Sequence, residues 1–279
     1  MTEHAHADAA AMTGLTIGVL ALQGAFVEHI RLLQTEAAGL QLELSQNKQQ
    51  QSGDTTTPAL NIIPVRTTKE LDQCAALVIP GGESTSIALI AARTNLLTPL
   101  RDFVKVARKP VWGTCAGLIL LAEVADRTKS TGQELIGGLD VRVRRNYFGR
   151  QVESFEADLD LPFLGPGDPR FHSVFIRAPV VEEILATNAH VDESADGTVT
   201  APRKQEATAD VEILARLPGR ARALKDRVTT AEELGEDGDI VAVKQGNVFG
   251  TAFHPELTGD GRIHRWWLGE VLRAANEGG

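Results

Sequence analysis

Apolar residues fall along this chain in two alternating patterns. The first is the short unbroken run: LTIGVLAL (15–22), NIIPV (61–65), AALVIP (75–80) and PVWG (110–113). Such runs, rich in branched residues and closed by glycine, proline or a polar turn, predict strands buried on both faces of a sheet. The second pattern has helical spacing. Phe26, Ile30, Leu33, Ala37 and Leu40 mark one amphipathic helix, and IALIAARTNLL (87–97) and PLRDFVKVA (99–107) predict two more. Near the end of the chain, IVAVKQ (240–245) and NVFGTAF (247–253) predict a hairpin about Gly246. Ile263, Trp267, Leu268, Val271 and Leu272 then form the apolar face of a closing helix. Strand and helix in repeated alternation imply an α/β fold: a single domain with a doubly wound, mostly parallel sheet and helices on both faces. In such sheets chemistry sits at the carboxyl ends of the strands.

Two stretches break the pattern. Residues 41–59 are polar and Gln-rich and read as an inserted surface loop. Residues 187–239 mix Asp, Glu, Thr, Ala and Arg and read as a second insertion, in which only VEILARL (211–217) resembles a strand. Residues 1–14 read as a disordered tail, leaving one domain over 15–279. Composition fits a soluble globular chain, with 43% hydrophobic and 23% charged residues. The net charge of −9 argues against a nucleic-acid partner. No apolar run approaches the ~20 residues of a membrane span, and the first residues, MTEHAHADAAAMTG, lack the build of a secretory signal. Two cysteines, Cys74 and Cys115, make no disulfide framework, so the expected setting is cytoplasmic.

Chemistry concentrates in three segments that follow predicted strands. Gly113-Thr114-Cys115-Ala116-Gly117 leaves one strand and opens a helix, the setting of a nucleophile elbow. Small neighbours let the chain turn sharply, the helix start favours a thiolate, and the N–H after the cysteine can donate to an oxyanion. Phe253-His254-Pro255-Glu256 supplies an imidazole and a carboxylate in a relation narrowed by proline. Pro80-Gly81-Gly82-Glu83-Ser84-Thr85-Ser86 offers successive glycines whose N–H groups can face an oxyanion, and an acid that could meet a substrate ammonium group. Each has a plain structural reading: a packed thiol, a structural histidine, a βα loop in which Ser84 or Thr85 caps the next helix. Their coincidence at strand ends favours chemistry. Arg145, Arg150 and Arg177 are candidates for a substrate carboxylate, whereas the run Arg142 to Arg145 could instead be a solvated face. Cys74 reads as packing, and His4 and His6 lack metal-ligand spacing.

Taken together, GVLALQGAFVEHI, VIPGGESTSI, GTCAGLILLA, RRNYFGRQVESFEADL, VFIRAP and AVKQGNVFGTAFHPELTGD resemble the class I glutamine amidotransferases, which have a flavodoxin-like fold. The likeness is stronger to the glutaminase subunit of pyridoxal 5′-phosphate synthase, the PdxT/SNO family, and runs from residue 17 to about 260. PGGES and RNxFGRQ are more specific to it than any triad element, and Leu118 stands where many amidotransferases carry Gln. The resemblance implies Cys115 as nucleophile, His254 as base and Glu256 as its orienting partner. It implies glutamine contacts from Gly82, Glu83, Ser84, Arg145, Ile176 and Arg177, with Gln23 bordering the site. Gly82, after a peptide reorientation, and Ala116 would form the oxyanion hole.

The implied reaction is hydrolysis of L-glutamine to glutamate and ammonia, without metal or cofactor. The ammonia would pass to a synthase subunit, a (β/α)8 barrel in stacked hexameric rings, for vitamin B6 synthesis. Two other readings remain open: the glutaminase of another amidotransferase pathway, and a catalytically silent partner of the synthase. Neither nucleic acid nor membrane enters any of them.

Overall fold

A computed structural model describes residues 14–50, 58–126, 133–147, 154–186, 197–202, 209–218 and 238–277, the side chains of 47–50 excepted. The chain opens with β1 (Leu15–Leu20), α1 (Phe26–Gln50) and β2 (Leu60–Val65), then a short α2 (Thr68–Asp72) and β3 (Ala76–Ile79). Next come α3 (Ser84–Arg93), α4 (Leu97–Lys105), β4 (Val111–Thr114) and α5 (Ala116–Leu121), which runs directly into β5 (Ala122–Asp126). β6 (Leu139–Arg144), β7 (Ser154–Leu159), β8 (Phe171–Ile176), β9 (Val180–Ile184), β10 (Thr198–Thr200) and β11 (Glu212–Leu217) follow. The hairpin β12 (Asp239–Gln245) and β13 (Val248–Thr251) and a closing α6 (Arg262–Glu277) complete the described elements.

The predicted buried strands pair as a continuous parallel block in the order β13-β4-β3-β1-β2. From β1 the chain crosses one way to β2, and from β3 the other way to β4. Right-handed crossovers therefore send the helices to opposite faces. α1 packs with α6 on one side, and α3 packs with α4 and α5 on the other. Beyond β13 the eleven-stranded sheet continues through β12, β9, β6, β5 and β10, where antiparallel pairs predominate. β11 adds to β12 as VEILARL suggested, and β7 and β8 form a separate two-stranded ribbon.

One expectation needs correcting. The first ten residues of the Gln-rich stretch continue α1 to Gln50 instead of forming a loop. Polarity was the misleading cue, because Gln, Leu, Glu and Lys are all good helix formers. Arg265 on α6 ties this extension down by pairing with Glu43, and it also meets Glu36, earlier on the same helix, at 3.6 Å. The tail 1–13, Arg150 and most of 187–239 lie outside the described residues. No helix among the described residues is long and apolar enough to cross a membrane.

Alternation along β4 divides its side chains between the two faces. Trp112 and Thr114 turn toward α1 and α6, where Trp112 stacks on Phe249 and meets the ring of Trp267. Gly113 turns toward α5. A Cβ there would lie 2.5 Å from the Gly117 backbone, and one on Gly117 would lie 2.0 Å from the carbonyl oxygen of Ile79. These two glycines let α5 rest directly on β3 and β4. Gly117→Ala should therefore lower stability by about 3 kcal/mol in a denaturant titration, because a backbone carbonyl cannot swing aside. Gly269→Ala on α6 meets open space and should instead stabilise by roughly 0.5–1 kcal/mol.

Candidate active site

Every segment singled out at a predicted strand end lies at the carboxyl edge of the parallel block. Gln23 follows β1, Gly81 to Glu83 follow β3, Cys115 follows β4 and His254 follows β13. Because these strands are neighbours, the four loops lie side by side. Register finishes the alignment: Thr251 pairs with Thr114, and the Cys115 N–H donates to the Thr251 carbonyl at 2.8 Å.

Cys115 has φ 47 and ψ −99, a conformation that L residues adopt only when the surroundings impose it. This turn lifts the sulfur out of the strand line at the mouth of α5. The side chain is buried, with its Sγ 3.8 Å from the carbonyl oxygen of Ile176 at the end of β8. With its own N–H committed to Thr251, the next free donor of the elbow is Ala116, at the start of a helix whose first N–H groups have no intrahelical acceptor. Arg177 also has a positive φ of 42, so the Ile176-Arg177 turn that faces the thiol is itself strained.

His254 is buried beside the elbow, and its Nδ1 donates to Glu256 Oε1 at 2.8 Å. Burial disfavours the imidazolium. Interaction with Cys115 and with Glu256 outweighs it and raises His254 to about 10. For Glu256, burial favours the neutral acid, but the His29 and His254 rings that face its two oxygens hold the carboxyl well below the usual range. Pro255 opens a single 3-10 turn (Pro255–Leu257) that carries both side chains inward.

The glycine loop is held from the β1 side. The Gln23 side chain accepts from the Glu83 N–H at 2.7 Å, and the Ala25 N–H donates to the Gly81 carbonyl at 3.1 Å. Gly24 has φ +98, and a Cβ there would sit 1.8 Å from that same carbonyl oxygen. Gly81 packs against the His254 ring, where a Cβ would reach Cε1 at 2.2 Å.

The cap of α3 differs from expectation. Neither Ser84 nor Thr85 provides it. Glu83 accepts from Thr85 N at 3.0 Å and from Ser86 N at 2.7 Å and Ser86 Oγ at 2.6 Å. Burial raises its pKa, but these bonds outweigh that and hold Glu83 below its usual value. Ser84 and Thr85 instead point inward to Gln133, whose Oε1 accepts from both hydroxyls and from Arg145. Arg145 leaves the row of half-buried Arg142 and exposed Arg144, which pair with Glu183 and Glu182. It is buried with its Nε and one terminal nitrogen unpartnered. Burial lowers its pKa from the ordinary arginine value, against attraction from Asp126 and Glu83.

Cys74 is packing, as expected: its thiol donates to the Glu70 carbonyl at 3.2 Å, and burial pushes it up to about 11. Three polar residues of the site escaped sequence reasoning. Gln133 carries no motif. His29 and His264 did carry a signal, since they lie on the apolar faces of α1 and α6, in step with Leu33 and Leu268. Among the described residues no group of three or more His, Cys, Asp or Glu could hold a metal.

Known proteins resemble this chain over most of its length. A family model described as the SNO glutamine amidotransferase family matches residues 19–211 and 209–273. The chain is 41% identical over 262 residues to "Probable pyridoxal 5'-phosphate synthase subunit PDX2" of Arabidopsis thaliana, covering 91% of this chain and 85% of that one. It is 39% identical over 255 residues to "Pyridoxal 5'-phosphate synthase subunit PdxT" of Herpetosiphon aurantiacus, covering 91% and 100%. Among solved structures, one described as a glutamine amidotransferase superposes with a TM-score of 0.58 at 33% identity, covering 92% and 98%.

The sign of the His254 shift sets a pH dependence. Its folded value lies above the ordinary 6.5, so its stabilisation is complete below that pH and disappears as pH rises through about 10. The melting-point advantage of wild type over His254→Gln should be largest near pH 6 and shrink steadily toward pH 10.

Proposed function

The chain belongs to the SNO glutamine amidotransferase family, and from that premise we propose that Cys115, His254 and Glu256 act as a glutaminase triad. The observation that carries this reading is the strained Cys115 turn at the same sheet edge as a His254 imidazole bonded to the buried Glu256 carboxylate.

In the Cys115–His254 pair the thiol proton already rests on the imidazole, and the thiolate attacks the side-chain amide carbon of L-glutamine. The tetrahedral oxyanion is met by the N–H groups of Ala116 and Gly82, the latter after a reorientation of its peptide. Protonated His254 then gives its proton to the departing nitrogen, and ammonia leaves a γ-glutamyl thioester on Cys115. Water, deprotonated by His254, attacks the thioester and releases glutamate.

Arg145, steadied by Gln133 and Ser84, turns its unpartnered N–H groups to the substrate carboxylate. The loop Gly82 to Ser84 and the Ile176-Arg177 turn close around the amino-acid end, with Gln23 fixing the loop from behind. Glu83 has both carboxylate oxygens engaged in capping α3, so its contribution to an ammonium group is made at the edge of that cap.

Ammonia released to solvent would be protonated and lost. A synthase subunit is the acceptor this reading requires, as in the pyridoxal 5′-phosphate synthases whose subunits the relatives are named for. We take that partner to be a (β/α)8 barrel in stacked hexameric rings, which completes the oxyanion loop on docking. Vitamin B6 is then the destination of the nitrogen.

Glutamate release from glutamine should rise when the synthase subunit is added and vanish in Cys115→Ala. Release that survives this substitution contradicts the nucleophile, and absence of release under every condition supports a silent partner. Arg145→Met should raise KM for glutamine by roughly ten- to a hundredfold, the worth of one or two charge-assisted hydrogen bonds.

A further inference from the structure

Behind Glu256 the polar chain does not stop. It continues into the core between α1, β4 and α6, where unpaired polar atoms are expensive. Glu256 Oε1 is taken by His254, while Oε2 has no well-directed hydrogen bond and faces His29 Nε2 at 3.3 Å. That nitrogen is also 3.3 Å from Thr114 Oγ1, so its position is shared between two acceptors. His29 Nδ1 lies 2.9 Å from His264 Nε2, and both rings are fully buried, edge-on to Trp112.

Protons can be assigned along this chain. Burial holds His264 well below the ordinary imidazole value, so it is neutral. Its Nδ1 has no partner among the described residues. An orphaned N–H costs more in a core than an orphaned lone pair, because the lone pair belongs to a group already bonded elsewhere. The His264 proton therefore sits on Nε2 and donates to His29 Nδ1. His29 Nδ1 is then the acceptor, and its Nε2 carries the hydrogen that points at Glu256 and Thr114.

We propose that His29 is a positioning residue of the triad: its Nε2–H holds the free oxygen of Glu256, and His264 fixes the tautomer that makes this possible. Glu256 is thereby oriented to His254 and kept ionised in a site that would otherwise neutralise it. The inference rests on the triad reading above. Outer partners of this kind orient an acid–base pair as second contacts orient metal ligands, with roughly ten- to a hundredfold effects when lost.

The titratable groups facing Glu256 are His254 from its own turn, His29 from α1, His264 from α6 and Cys115 from the elbow after β4. Near His29 on its own helix lie Glu28 and Arg31, toward solvent. Removing the Nε2 donor raises the pKa of the buried carboxylate. Protonated Glu256 no longer supports the His254 imidazolium or the Cys115 thiolate, so the loss appears on the acid side.

The test is the pH profile of Cys115 alkylation by iodoacetamide in the full chain, read by mass spectrometry of the Cys115 peptide. It is paired with kcat and KM for glutamine in the presence of the synthase subunit. His29→Leu and His29→Asn, whose amide reaches only where Nδ1 stood, should move the acid midpoint up by about one pH unit or more. Both should lower kcat by roughly tenfold or more with KM within about twofold. His29→Gln, whose amide nitrogen falls near the lost Nε2, should restore both. A merely structural histidine would rank these variants by melting point, not by donor position.

His264→Leu leaves His29 and the triad in place and should shift the midpoint in the same direction by a smaller amount. That arm decides the matter should the His29 variants not fold. Variants that alkylate with the wild-type profile, or a Gln variant no better than Leu, would overturn the proposal. A wild-type Cys115 with no acid limb would instead remove the triad reading on which it rests.

Discussion

Parallel pairing of β4 with β13 is the constraint from which the site follows. Thr251 beside Thr114, with the Cys115 N–H bonded to the Thr251 carbonyl, brings two loops 139 positions apart in the chain to the same edge. The strand pair fixes where the sulfur leaves the sheet and where the imidazole must approach it. Glycine then sets how close the layers come. Gly113 and Gly117 let α5 lie on the sheet, and Gly24 lets the Gln23 turn press against the Gly81 carbonyl. Strain at Cys115 is sustained because the elbow is held on both sides, by Thr251 and by the first turn of α5, where the Ile119 N–H returns to the Cys115 carbonyl.

The second constraint is charge in a core. A carboxylate as buried as Glu256 is tolerable only with partners that favour its ionised form. His254 supplies one from the solvent side and His29 another from the interior. Arg145 presents the complementary case: a buried guanidinium whose Gln133 and Ser84 contacts leave donors over. One charge is compensated within the fold, and the other keeps unpartnered donors. On the proposed reading, that asymmetry separates the catalytic side of the site from its binding side.

The parallel half of the fold was legible in the sequence because strands buried on both faces write unbroken apolar runs. The helices between them were legible because one face must be apolar. Cys115, the His254-Pro255-Glu256 turn and the glycine loop stood out because each follows such a run, and strand ends are where this architecture gathers polar groups. The antiparallel half was less readable. In LDVRVR of β6 the alternation of buried valine with arginine resembled a charge run, and the inward turn of Arg145 depends on where that strand ends.

The extension of α1 was hidden by polarity that says nothing against a helix. Glu83 was singled out as a candidate ligand group, and its second role as the cap of α3 appears only in the local geometry, where its carboxylate reaches two N–H groups at once. His29 and His264 were masked by their setting: on a helical apolar stripe a histidine looks like packing. Only the fold reveals that their rings line up behind Glu256.

The central claim is that Cys115 carries the acyl group during turnover. The most direct measurement is intact-mass and peptide mass spectrometry of the chain, acid-quenched while it turns over glutamine with the synthase subunit. The account predicts a γ-glutamyl adduct on the peptide containing Cys115, discharged by hydroxylamine and absent in Cys115→Ala. Steady release of ammonia with no adduct at any quench time, or an adduct on another residue, would contradict it.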